Sequence, residues 1–176
     1  MARPGQEIVN PAARMRLVFV RTAAETGGEQ LEVEASYDPG SVEPLEHFHP
    51  HQDERFEILA GTMRARIGDV ERDLCPGETL EIPRGTRHAM WNGGADQARV
   101  RWETRPAMRT EEFFETAFKL AEQGKIGEKG PRNPLLGASL MHRFRDEFRL
   151  ASPPGPLQAV VLPPLAGLAR LLGQTG

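Results

Sequence analysis

The chain has 176 residues, 39% of them hydrophobic and 27% charged, with a formal net charge of -3. That supplies apolar material for one core plus an extension, and gives no overall pull toward nucleic acid or an anionic membrane. The one cysteine, Cys75, excludes an internal disulfide, and no stretch reaches the about 20 apolar residues that a membrane-spanning helix needs. A lone thiol fits a reducing compartment. Residues 1–14 have no apolar run of the secretory kind and are interrupted by Pro4 and Pro11, so the cytoplasm is the expected location.

Residues 15–22 form a short apolar run. Residues 30–37 alternate, with Leu31, Val33, Ala35 and Tyr37 on one face and Glu32, Glu34 and Ser36 on the other, which predicts a strand half-buried on a core. Asp38-Pro39-Gly40 is a turn, and a histidine-rich segment follows. Residues 54–59 alternate again, Ala60-Gly61 turns the chain, and residues 62–68 set Met63, Ala65 and Ile67 against Arg64 and Arg66. Gly68-Asp69 reads as a hairpin turn. Pro76-Gly77 and Gly93-Gly94 mark further turns around the short strands 79–82 and 86–92. Residues 98–104 put Ala98, Val100, Trp102 and Thr104 on one side and Arg99, Arg101 and Glu103 on the other. The four arginines of these strands read as solvent faces, with an anion at a barrel mouth as the alternative. Many short strands at close turn spacing predict an all-β antiparallel sandwich or barrel.

The period changes after Pro106. Thr110 is a candidate N-cap, and Phe113, Phe114, Ala117, Phe118, Leu120 and Ala121 line one side of a helix that Gly124 ends. Residues 135–150 are a second, Arg-rich helix candidate. Residues 157–172 are apolar but broken by Pro163-Pro164. The expected division is a barrel over 1–106 and a helical extension over 107–176. A long Gly/Pro loop between the helix candidates argues against a helix-turn-helix, so no nucleic-acid partner is expected. The apolar tail is expected to pack on its own barrel or on a second copy. Membrane contact through it is the less favoured alternative.

Two spaced patterns carry the chemistry. The first is Gly40, His47-Phe48-His49, Glu54 after four residues and Gly61 after six; the second is Gly77, Pro83, Gly85, His88 and Asn92, fifteen residues after Gly61. His47 and His49 are two apart in extended chain and project from one face. Glu54 opens the next strand on its inward face, and His88 follows a Pro-x-Gly turn. Three imidazoles and one carboxylate converging in a barrel interior make a mixed nitrogen and oxygen site for a divalent metal. Inward-facing Phe56, Ile58, Met63, Ile67, Met90 and Trp102 are candidates for a largely apolar pocket, or for plain core.

These two patterns resemble the two motifs of the cupin superfamily, over about residues 38–94. The second matches at all five fixed positions; the first begins one residue further from its glycine than the commonest form. The resemblance implies an antiparallel double-stranded β-helix (jelly-roll) fold. It implies His47, His49, Glu54 and His88 as ligands of one divalent metal, with iron, manganese or nickel ahead of zinc. His51, Asp53 and Asn92 become candidates beside the ligands, Asn92 more as a turn brace. A homodimer is expected by the same resemblance. The function expected is a metal-dependent enzyme on a small organic substrate, a dioxygenase ahead of an isomerase or lyase. The alternative is a small-ligand-binding or storage protein without turnover.

Overall fold

The computed structural model describes residues 2–174; Met1, Thr175 and Gly176, at the ends of the expected spans 1–106 and 107–176, lie outside the described residues. Ten strands come first: β1 (Glu7–Asn10), β2 (Met15–Arg21), β3 (Leu31–Tyr37), β4 (His47–Phe48), β5 (Asp53–Ala60), β6 (Met63–Ile67), β7 (Val70–Leu74), β8 (Thr79–Ile82), β9 (His88–Asn92) and β10 (Ala98–Arg105). Then follow α1 (Thr110–Glu122), the short β11 (Ile126–Gly127) and β12 (Gly130–Pro131), α2 (Pro134–Arg143), β13 (Arg149–Leu150) and α3 (Gly155–Leu171).

Two antiparallel sheets form the barrel. One has the order β1-β2-β3-β10-β5-β8 and the other β13-β4-β9-β6-β7. The alternation predicted for β3 holds, with Leu31, Val33, Ala35 and Tyr37 buried and the residues between them half-buried. Phe56, Ile58 and Val100 from the first sheet share one core with Met63, Ala65 and Met90 from the second. Burying each such side chain contributes about 1.5–3 kcal/mol. This is the double-sheet jelly roll with a helical extension that the sequence predicts. The strand arginines point outward into ion pairs: Arg64 with Asp73, Arg66 with Glu71 and Glu43, Arg99 with Glu34, and Arg101 with Glu32 and Glu57.

Four local features differ from the sequence reading. β1 was not foreseen; it pairs with β2 through a tight return between Asn10 and Met15. Thr110 is the first helical residue rather than the N-cap, because its hydroxyl is engaged by the Gln52 amide at 2.7 Å. The second helix stops at Arg143, and the chain turns around the fully buried Phe144 ring so that β13 can pair with β4. That pairing satisfies a sheet edge that a longer helix would leave open. The third helix continues through Pro163 and Pro164. The carbonyls that lose their donors belong to Ala159 and Val160, on the exposed side of α3, where water can satisfy them. α3 packs chiefly on α2, burying Gln158, Ala166 and Ala169, while Leu157, Val160, Leu171 and Leu172 stay exposed. No helix among the described residues is long and apolar enough to cross a membrane.

Candidate metal centre

β4 and β9 are neighbours in the five-stranded sheet, and His47 stands directly opposite His88. His49 follows β4, where the turn holding Gly85 reaches it: the Gly85 N–H donates to the His49 carbonyl at 2.8 Å. One ring nitrogen from each of His47, His49 and His88 lies within 4.8 Å of the others. Glu54 comes from the opposite sheet, on β5, and its Oε2 lies 3.0 Å from His88 Nε2 and 3.2 Å from His49 Nε2. Closing the two sheets therefore brings both motifs onto one point.

The outer nitrogens are fixed by the backbone. Nδ1 of His47 meets the Leu45 carbonyl at 2.9 Å, Nδ1 of His49 the Glu147 carbonyl at 2.6 Å, and Nδ1 of His88 the Thr86 carbonyl at 3.0 Å. A carbonyl only accepts, so each Nδ1 donates, and in the neutral ring Nε2 keeps its lone pair for the interior. Among the described residues, His49 Nε2 and Glu54 Oε2 are buried with no hydrogen-bond partner. Glu54 Oε1 accepts from the Trp102 indole at 2.9 Å. Lone pairs aimed at one another across a dry interior are costly. A divalent cation bound by the four groups would remove that cost, so the donor set fits such an ion.

The same proximity shifts the pKa values of the cluster. Burial, and then the neighbouring His88 and His49, hold the His47 pKa well below the ordinary imidazole value. Burial alone would raise Glu54, but the imidazoles, His49 foremost, outweigh it and bring the pKa down to about 2. Burial alone would lower His88; the Glu54 carboxylate outweighs it and raises His88 above the ordinary value. Burial, with Glu54 adding to it, raises the Tyr37 phenol, which stays neutral across the physiological range.

The cluster opens into a cavity of about 220 Å³. Of the six predicted pocket residues, Phe56, Met90 and Trp102 line it. Ile58, Met63 and Ile67 do not; Ile58 and Met63 are fully buried core, and Ile67 packs against that core. Among the candidates beside the ligands, His51 is exposed in its loop. Asp53 faces away, holding Arg84 by its backbone N–H and its guanidinium, which lowers its pKa. Asn92 braces the turn: its Nδ2 donates to the carbonyls of Tyr37 and Asp96, and its Oδ1 accepts from the Gly94 N–H.

The cavity's other wall comes from residues with no part in either motif. α1 contributes Thr110, Phe113, Phe114, Ala117 and Phe118, and the segment before β13 contributes Glu147 and Phe148. Phe148 stacks on His47 at 4.7 Å and on Phe113 at 5.2 Å between ring centres. The helical period showed the aromatic face of α1, but nothing local in the sequence said what that face covers. A second apolar recess of about 440 Å³, reaching Leu162 and Leu165 of α3, shares His47, Phe113 and Phe148 with the first.

Residues 33–102 match the cupin domain family, and the sheets enclose the residues that its two motifs supply. This chain contains a cupin domain. The cupin is 34% identical over 80 residues to protein SchB of Streptomyces halstedii, covering 41% of this chain and 58% of that protein. It thus spans less than two thirds of that relative. It is 27% identical over 118 residues to tetracenomycin polyketide synthase protein TcmJ of Streptomyces glaucescens, covering 58% of this chain and 77% of TcmJ. A predicted oxalate decarboxylase of Thermotoga maritima has a similar fold, with a TM-score of 0.50 at 16% identity over 52% of this chain and 80% of that one.

Proposed function

We propose that this cupin is a metal-dependent enzyme acting on a small, mostly apolar, aromatic substrate, with oxygen-dependent chemistry ahead of isomerase or lyase chemistry. The observation that carries the reading is the convergence of three backbone-anchored imidazoles with a buried, unpartnered carboxylate oxygen beside an aromatic cavity. A bound iron, manganese or nickel ion, favoured over zinc, would supply Lewis acidity and open coordination positions for water, dioxygen or a substrate oxygen. The chain's own part is to hold the donors, exclude water and orient the substrate. Phe56, Trp102, Phe113, Phe114 and Phe148 offer ring faces to a planar ligand. The similarity to TcmJ, a tetracenomycin polyketide synthase protein, supports looking first among polyketide-derived compounds. We also assign the expected homodimer contact to the exposed apolar side of α3, where Leu157, Val160, Leu168 and Leu171 lie.

Elemental analysis of protein purified without chelator tests the metal reading. About one iron, manganese or nickel per chain is expected in the wild type, and none in the His47→Ala, His88→Ala double variant. Oxygen uptake with small aromatic compounds then tests the reaction class. No metal in the wild type, even after reconstitution, would remove the enzyme reading and leave a ligand-binding barrel.

A further inference from the structure

Glu147 is a buried acid outside the metal cluster, and its charge acts on the Arg109 guanidinium. Glu147 is 3% exposed, it lines the cavity beside the histidines, and its Oε2 has no hydrogen-bond partner among the described residues. Its main chain is already fixed, because its carbonyl accepts from His49 Nδ1 at 2.6 Å. The nearby Arg109 directs its guanidinium elsewhere, to the Glu112 carboxylate at 2.8 Å and the Arg143 carbonyl at 3.2 Å. Two other polar side chains on the wall have protein partners. The Asn10 amide oxygen accepts from the Ala13 N–H at 3.0 Å, and the Thr110 hydroxyl accepts from Gln52 at 2.7 Å. A buried polar atom without a partner is costly, and a native protein that keeps one has a use for it.

We propose that Glu147 is the specificity anchor of this cavity: its carboxyl accepts a hydrogen bond from a hydroxyl or amino group on an otherwise apolar, aromatic ligand. The inference rests on the reading of this cavity as the substrate site and narrows the substrate class to ring compounds carrying a donor. The aromatic walls give such a ligand its affinity and tolerate many shapes. One acceptor set among them selects strongly, because a ligand lacking the donor leaves the carboxyl buried and unpaired.

The test uses the full chain and two probes of one shape, 2-naphthol and 2-methoxynaphthalene, titrated by calorimetry before and after metal removal by chelator. Metal-free wild type is expected to bind 2-naphthol about tenfold tighter than its methyl ether, roughly the worth of one hydrogen bond to an otherwise unpaired buried acceptor. In Glu147→Met the preference is expected to shrink below about threefold, with the ether bound as in the wild type. The melting temperature of that variant should hold or rise, since an unpartnered buried carboxyl is exchanged for an apolar chain of similar shape. Equal affinities in the wild type, a preference surviving in Glu147→Met, or no binding of either probe would overturn the proposal. A preference that needs bound metal and survives in Glu147→Met would mean the cation takes the hydroxyl; Glu147 then falls while the metal reading stands. A preference in protein that takes up no metal would sink the metal reading and keep the anchor.

Discussion

At the scale of single residues, Trp102 decides how Glu54 is presented. Its indole N–H holds one carboxylate oxygen, and its ring is wedged between Phe56 at 5.2 Å and Phe114 at 5.0 Å. The sequence showed Trp102 only as an inward apolar residue; its polar edge became meaningful when β10 paired with β5 and set it beside Phe56. Trp102→Phe keeps the packing and removes the donor. Its affinity for iron(II) or manganese(II), measured by competition with a chromophoric chelator, is expected to fall about 10–100-fold with little change in melting temperature. An unchanged affinity would mean that Glu54 needs no support from the indole.

At the scale of elements, the turns and the docking of α1 can be tested separately. Gly61 and Gly77 both have left-handed backbone, with φ of +72° and +89°. A Cβ on Gly61 would lie 2.6 Å from the Gln97 carbonyl oxygen and 2.7 Å from the Ala98 Cα, whereas one on Gly77 would meet nothing within 4 Å. Gly77→Ala is therefore expected to cost about 1–2 kcal/mol from backbone strain alone. Gly61→Ala is expected to cost clearly more, because two backbones must move apart; chemical denaturation of the pair checks the order. Beside the apolar cluster of Leu120, Leu136, Leu140 and Phe144 that packs α1 on α2, Glu112 accepts from Arg109 at 2.8 Å and also pairs with Arg143. The Arg109 hydrogen bond, with Arg143 helping, lowers the Glu112 pKa to about 2. A lowered carboxyl stabilises the fold above its unfolded value, and that contribution disappears as the pH falls toward 2. The Glu112 side chain is 42% exposed, so screening limits the effect to about 0.5 kcal/mol. Glu112→Gln should thus melt slightly below wild type at pH 7, and the gap should narrow between pH 5 and pH 3. A gap that widens in that window would contradict the assignment.

At the scale of the whole molecule, the helices are not equivalent. Phe114 and Phe118 of α1 belong to the main core, and Gln52 ties the barrel to the start of α1 through the Pro106 carbonyl at 2.8 Å and the Thr110 hydroxyl. A chain ending at Pro106 would expose the core and the cavity together. It is expected to be insoluble or to melt without a cooperative transition. A chain ending at Ser152 loses α3 but keeps α1, α2, Phe148 and β13, and is expected to remain folded and to take up metal like the full chain. Removing the exposed leucines of α3 should also convert the expected homodimer to monomer, which sedimentation reads directly. A full-length chain that is already monomeric would discard that dimer contact.

The sequence by itself determined the strand alternation, most turn positions and the four candidate donors. Period-two burial and glycine at positive φ are local requirements, and so is the spacing that puts His47 and His49 on one face. Only the tertiary structure decided what surrounds those donors. Glu147 and Phe148 reach the site because β13 closes the open edge at β4, a pairing across about a hundred residues of chain that leaves no local periodic trace. Ile58 and Met63 share the inward alternation of Phe56 and Trp102, yet they fill core while the latter two line the cavity. Alternation tells which face a side chain is on; the depth at which α1 and the segment before β13 cover that face decides which side chains a ligand can touch.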